Sequence, residues 1–179
     1  MYEEFTSITG EDAEKYIMNS VNQRVRDRMA EIADGYVLDV GCANGIDSHR
    51  YNTEKYLGID ISPELIKIAE KRNPEHHFLC INALDFLESD IHFDYIICKA
   101  VLEHIPLNEA VRLYHKMVEK SDVLLLAWHM IPGEKTEIHE IKGHFEKDIL
   151  QNEYDFRLFS DYNIRKERVD NYELWTVTK

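Results

Sequence analysis

The chain has 179 residues, of which 44% are hydrophobic and 11% aromatic, and a formal net charge of −13 from 21 basic and 34 acidic residues. These values describe one ordered globular domain with room for a real core, and the acidic balance leaves no electrostatic footprint for a phosphate backbone. No stretch reaches the roughly 18 apolar residues of a membrane span, and the acidic start MYEEFTSITGEDAEKY is unlike a signal peptide.

Ile17, Val21, Val25, Met29 and Ile32 recur at helical spacing, which predicts a helix over about 11–33. It belongs to an N-terminal lid over 1–35, with Tyr16 and Arg24 on it, ahead of an α/β core over 36–179. A strand at 36–40 leads into a short helical piece near 45–52, and YLGID (56–60) makes a second strand. Ser62-Pro63-Glu64 opens a helix with a capping hydroxyl, a proline at the first position and a carboxylate in the first turn. That helix runs to about Arg72, before Asn73-Pro74.

HFLCI (77–81) and FDYIIC (93–98) are the third and fourth strands. Pro106 begins a helix with Leu107, Val111, Tyr114 and Val118 on one stripe, closing near Lys120. DVLLLAW (122–128) is apolar almost throughout, as a parallel strand covered on both faces should be. A helix over 144–152 follows, then two strands near 156–162 and 172–178. The nine residues between those strands are too few for a parallel crossover, so they pair antiparallel. The run IRKER (164–168) between them reads as a solvated surface turn. The whole is an α/β three-layer, Rossmann-like sandwich, mostly parallel, with an antiparallel C-terminal hairpin.

Ligands in such sheets sit beyond the carboxyl ends of the strands. Gly41-Cys42-Ala43-Asn44-Gly45 occupies such an end, and Asp60 follows Gly41 by nineteen positions at the end of the next strand. A carboxylate there can accept hydrogen bonds from both hydroxyls of a ribose. The G-x-G-x-x-G register offers Gly41, Ala43 and Ile46, one glycine of three, and Gly-Lys-Ser/Thr is absent. An adenosine-containing ligand without a pyrophosphate fits this pattern best.

"LDVGCANG", "YLGIDIS", "CINALDF" and "FDYIICKAVLEHIP" resemble the successive motifs of class I S-adenosylmethionine-dependent methyltransferases, over about 36–128. The likeness is greatest to small-molecule methyltransferase domains whose fourth strand ends in Val-Leu-x-His. The resemblance implies that Asp39, Gly41, Cys42, Ala43, Asn44 and Gly45 form the turn against the methionine portion and ribose. Small residues there let backbone groups reach the ligand. It further implies that Asp60 holds the ribose hydroxyls, that Ile61 packs on the adenine, and that Asn82-Ala83 stands where the family often has Asp-Ala. A neutral acceptor in place of a carboxylate costs about 1 kcal/mol of adenine affinity. Lys99, Ala100 and Val101 would pass the methionine tail.

The three cysteines, Cys42, Cys80 and Cys98, lie in or beside apolar runs without paired spacing. They read as reduced core residues of a cytoplasmic protein. His139 and His144 are one residue too far apart for the H-E-x-x-H zinc motif, and no metal is expected. His104 in the Val-Leu-x-His segment and His129 after Trp128, at the end of the fifth strand, are the candidate bases. Against that, Trp128 could pack under the 144–152 helix with His129 facing solvent.

The expected activity is methyl transfer from S-adenosyl-L-methionine to an O- or N-nucleophile on a small molecule, leaving S-adenosyl-L-homocysteine. A small-molecule partner is expected, with neither nucleic acid nor membrane; the oligomeric state stays open. The competing reading is a catalytically silent domain that binds the cofactor or a protein partner. A nicotinamide oxidoreductase comes third, weakened by the missing glycine fingerprint.

Overall fold

The computed structural model describes residues 23–129, 139–141, 145–149, 162–170 and 172–179. Helix α1 (Gln23–Ile32) buries Val25 and Met29 one turn apart, with Arg26 beside them. Tyr16, Ile17 and Val21, and so most of the expected lid, lie outside the described residues.

Strands β1 (Val37–Val40), β2 (Tyr56–Asp60), β3 (His77–Cys80), β4 (Phe93–Lys99) and β5 (Ser121–His129) fall close to the expected positions. Helix α2 (Pro63–Arg72) starts on a Ser62 Oγ that accepts from the Leu65 N–H at 3.3 Å. A one-turn helix α3 (Ala83–Phe86) and helix α4 (Leu107–Glu119) complete the crossovers. Between β1 and β2 there are only two short 3₁₀ turns, at Ser48–Arg50 and Thr53–Lys55.

The last elements differ from expectation. Residues expected in a helix over 144–152 form strand β7 (Phe145–Ile149), paired antiparallel with β6 (His139–Ile141). Phe145 and Ile149 are four apart, a spacing that suits one face of either a helix or a strand. The hairpin strands are β8 (Asn163–Val169) and β9 (Tyr172–Thr178), so IRKER is strand, not turn. Its basic side chains suit an outermost strand, where charge discourages pairing with another chain. The register pairs Val169 with Tyr172, and Asp170 turns the chain at φ 54°, a left-handed conformation that tight hairpins use and aspartate tolerates.

The seven-stranded sheet has the order β3-β2-β1-β4-β5-β9-β8, and only β9 runs against its neighbours. Chain direction reverses its walk across the sheet between β1 and β4. The crevice at their carboxyl ends is therefore where a ligand belongs. Strand β5 explains the three layers. Leu124 and Leu126 face the α4 side with Leu113, Tyr114 and Met117, whereas Leu125 and Ala127 face Val25 and Met29 of α1 and Ile66 and Ala69 of α2.

Candidate functional site

A cavity of about 370 Å³ opens at that crevice, within the roughly 300–1,000 Å³ typical of small-ligand sites. The end of β1 contributes Asp39, Gly41, Cys42 and Ala43; β2 contributes Asp60 and Ile61; the start of α3 contributes Asn82 and Ala83. The end of β4 brings Lys99, Ala100, Val101 and His104. Asn44 and Gly45 do not line it. The loop turns inward there, leaving Asn44 fully buried and Gly45 so tight against Ala69 and Phe78 that a Cβ would lie 2.9 Å from each. Gly45 is small for the sake of the packing of α2 and β3. Gly41 is small because a Cβ would overlap a methyl of Val101, and its φ of +75° disfavours any other residue.

Asp60 is held from two sides, its Oδ2 accepting from the Ala43 N–H at 3.0 Å and its Oδ1 from the Ser62 N–H at 2.9 Å. Burial raises its pKa, and the backbone N–H groups of Ser62, Ala43 and Ile61 oppose that rise. The bond to Ala43 is made with that residue at φ +50°, a left-handed conformation costing an alanine roughly 1 kcal/mol. Beside these backbone partners the carboxylate has acceptor capacity left for a hydroxyl donor. Asn82 lines the cavity and also caps the helix behind it. Its Oδ1 already accepts from the Leu84 N–H at 2.8 Å as the cap of α3.

Asp39 is buried and accepts from the Tyr56 hydroxyl at 2.7 Å. Burial pushes its pKa up to about 7; the Tyr56 hydrogen bond and Lys99 lower it, while Asp47 and Asp60 raise it. Burial also lowers the pKa of His104, which favours the neutral imidazole. His129 ends β5 opposite Tyr172, but its side chain and that of Trp128 lie outside the described residues, as does the His144 position. Cys42 and Cys98 are buried as expected; Cys80 is exposed, because β3 is an outermost strand.

Several wall residues were not foreseen. Arg26, only 6% exposed, reaches the cavity from α1, and Asp47 faces it from the loop after β1. Tyr172 enters from the start of β9, and Leu84, Ile105 and Leu113 supply an apolar flank. Arg24, expected on the lid, is exposed and paired with Asp170 at 2.9 Å. The signal for Arg26 was its place beside Val25 and Met29 on the buried stripe.

Residues 37–120 match a family profile described as a methyltransferase domain. A ubiquinone biosynthesis O-methyltransferase of Chromobacterium violaceum is 35% identical over 92 residues, covering 48% of this chain and 40% of that protein. One of Coxiella burnetii is 32% identical over 98 residues, covering 51% and 42%. The chain thus spans about two fifths of the length of these curated relatives. Among solved structures, an O-methyltransferase family protein from Burkholderia thailandensis superposes with a TM-score of 0.77 at 12% identity, covering 100% of this chain and 63% of that one. The magnesium protoporphyrin IX methyltransferase of Synechocystis PCC 6803 with bound S-adenosylhomocysteine gives 0.66 at 18% identity, covering 99% and 97%. The strand order and the strand-end turn agree with this match: residues 37–120 are similar to a methyltransferase domain, and the chain has the fold of these solved methyltransferases.

Proposed function

We propose that the protein transfers a methyl group from S-adenosylmethionine to an oxygen nucleophile on a small molecule. The observation that carries this reading is the placement of Asp60, Asp39 and Arg26 around one cavity at the switch point of the sheet. The three side chains fit the cofactor's polar groups in sequence. Asp60 would accept from the ribose hydroxyls, the buried Arg26 would meet the carboxylate, and Asp39 the ammonium. Ile61, Leu84 and Ile105 offer apolar surface for the adenine. The curated relatives are named as O-methyltransferases, which supports a hydroxyl acceptor.

The cofactor supplies an activated methyl on a sulfonium that leaves as a neutral thioether. What the chain must do is align the acceptor and exclude water, and alignment alone is worth several kcal/mol. An acceptor hydroxyl held in the cavity would have to give its proton to a base on this chain. His104 lines the cavity, and its lowered pKa keeps the imidazole ready to accept. The α1 segment is the end of a lid, tied down on both sides. Arg28 pairs with Glu167 on β8 at 3.1 Å, and Arg50 after β1 pairs with Asp27 at 2.9 Å. A small-molecule partner fits the same reading, since the charge of −13 disfavours nucleic acid, and the free thiols of Cys42, Cys80 and Cys98 favour a cytoplasmic setting. Among the described residues no helix is long and apolar enough to cross a membrane.

The test is formation of S-adenosylhomocysteine from S-adenosylmethionine across a panel of hydroxylated small molecules. Turnover with at least one acceptor is expected, slowed by about 10²–10⁴-fold in His104→Asn. Cofactor binding without turnover on any acceptor is the outcome for a catalytically silent domain.

A further inference from the structure

We propose that Tyr56 is a positioning residue for this site: its buried hydroxyl fixes one oxygen of Asp39, presents the carboxylate to a cationic amino group in the cavity, and so sets the pH range in which that group binds. The inference rests on the cofactor reading above and adds its regulation by pH.

Tyr56 opens β2 beside Val37, and from there its hydroxyl donates to Asp39 Oδ2 at 2.7 Å. The ring is 3% exposed and has little freedom to turn. Tyr51 stacks on it with centroids 5.4 Å apart, and His76 and Phe78 meet it edge-on at 5.5 and 6.0 Å. Burial raises the pKa of the Tyr56 hydroxyl, so it stays a donor through the neutral range. The Asp39 carboxylate accepts no other side-chain hydrogen bond among the described residues, and it lines the cavity. One oxygen is therefore held from behind while the other is left for a ligand.

The charge around Asp39 is mixed. Asp47 and Asp60 disfavour its ionised form, Lys99 favours it, and Arg26 lines the same cavity. Cys42 and Tyr51 are near enough for its charge to hold their own protons on. His76, packed on Tyr56, has a buried Nδ1 without a hydrogen bond. In this setting Asp39 titrates near neutrality. Only the ionised carboxylate pairs with an ammonium, so ligand binding releases a proton as pH falls towards that range. The Tyr56 hydrogen bond stabilises the ionised form, and its loss moves the titration upward.

The experiment is calorimetric titration of the full chain with S-adenosylhomocysteine between pH 5.5 and 8.5. It compares the wild type with Tyr56→Phe, Asp39→Asn and His104→Asn. The ligand's own amine loses its charge at the alkaline end, so the midpoint is read on the acidic limb. Wild-type affinity should fall below about pH 7, approaching tenfold per unit. In Tyr56→Phe the midpoint should rise by roughly one to two units, weakening binding at pH 7 about tenfold or more. Asp39→Asn should bind weakly at every pH, and His104→Asn should keep the wild-type midpoint. If Tyr56→Phe fails to fold, 3-fluorotyrosine placed at position 56 is a stronger donor of nearly the same shape, and it should lower the midpoint. A flat wild-type profile, a midpoint unmoved by either change at Tyr56, or one that follows His104→Asn overturns the proposal. A wild type that binds no S-adenosylhomocysteine at any pH overturns the cofactor reading itself, and this inference with it.

Discussion

Arg26 on α1 and Asp47 in the loop after β1 face each other at 3.3 Å across the cavity wall, yet Arg26 Nε and Asp47 Oδ1 are buried without a hydrogen bond. The pair attracts by charge but is not aligned as a hydrogen bond. A buried guanidinium Nε–H without an acceptor is expensive unless something else engages the group. An anionic ligand group in the cavity supplies that partner, and the cofactor's carboxylate has the right chemistry.

Arg26→Gln should therefore weaken S-adenosylhomocysteine binding by about tenfold or more, since hydrogen bonds to charged groups contribute ~1.5–3 kcal/mol. Adenosine has no carboxylate, and its affinity should barely change. Titrating both ligands separates the two cases. An equal loss for adenosine would mean that Arg26 acts only by holding α1 in place.

Asp60→Asn should show the opposite pattern, weakening adenosine and S-adenosylhomocysteine alike by roughly tenfold or more. Asparagine keeps an acceptor for the Ala43 or Ser62 N–H, so the fold should survive. Full affinity for adenosine in a folded Asp60→Asn protein would remove the ribose assignment.

At the strand-end turn, Gly41→Val and Ala43→Gly should act in opposite directions. Valine at φ +75° is strained, and its Cβ would overlap Val101, so ligand-induced stabilisation in a thermal melt should vanish. Glycine at Ala43 relieves the left-handed strain at φ 50° against its own entropic cost, a net gain of up to about 1 kcal/mol. A destabilised Ala43→Gly would show that the alanine methyl contributes packing that outweighs the strain.

Much of this site was legible because strand ends are readable. The YLGID run and the Ser62-Pro63 cap place Asp60 at a carboxyl end, and the glycines mark the turn that meets it. What was hidden depended on long-range register. Tyr172 reaches the cavity only because β9 returns antiparallel beside β5, with Tyr172 opposite His129. Arg26 carries the charge of a surface residue, and only the lie of α1 over the crevice turns it inward. The hairpin was misplaced because the charge run at 164–168 outweighed the quieter turn signal of Asp170-Asn171.

Asp39 also predicts how stability depends on pH without any ligand. Its folded pKa of about 7 lies above the ordinary carboxylate value of 3.8, so between those values the folded protein holds a proton that the unfolded chain has lost. The contribution of this group is therefore favourable below about pH 4 and is lost as pH rises towards 7, by an amount on the order of 4 kcal/mol. Asp39→Asn removes that loss. Chemical denaturation of both proteins should find the mutant gaining on the wild type as pH rises from 4 to 7. A constant difference over that range would contradict it.

The central claim, an S-adenosylmethionine site at the β1–β4 crevice, is tested most directly by calorimetric titration of the wild-type chain with S-adenosylhomocysteine and, in parallel, with NAD. The account predicts saturable one-to-one binding of S-adenosylhomocysteine, sharply weakened in Asp60→Asn, and no binding of NAD. Saturable NAD binding, or no heat with S-adenosylhomocysteine at any pH between 5.5 and 8.5, would contradict it.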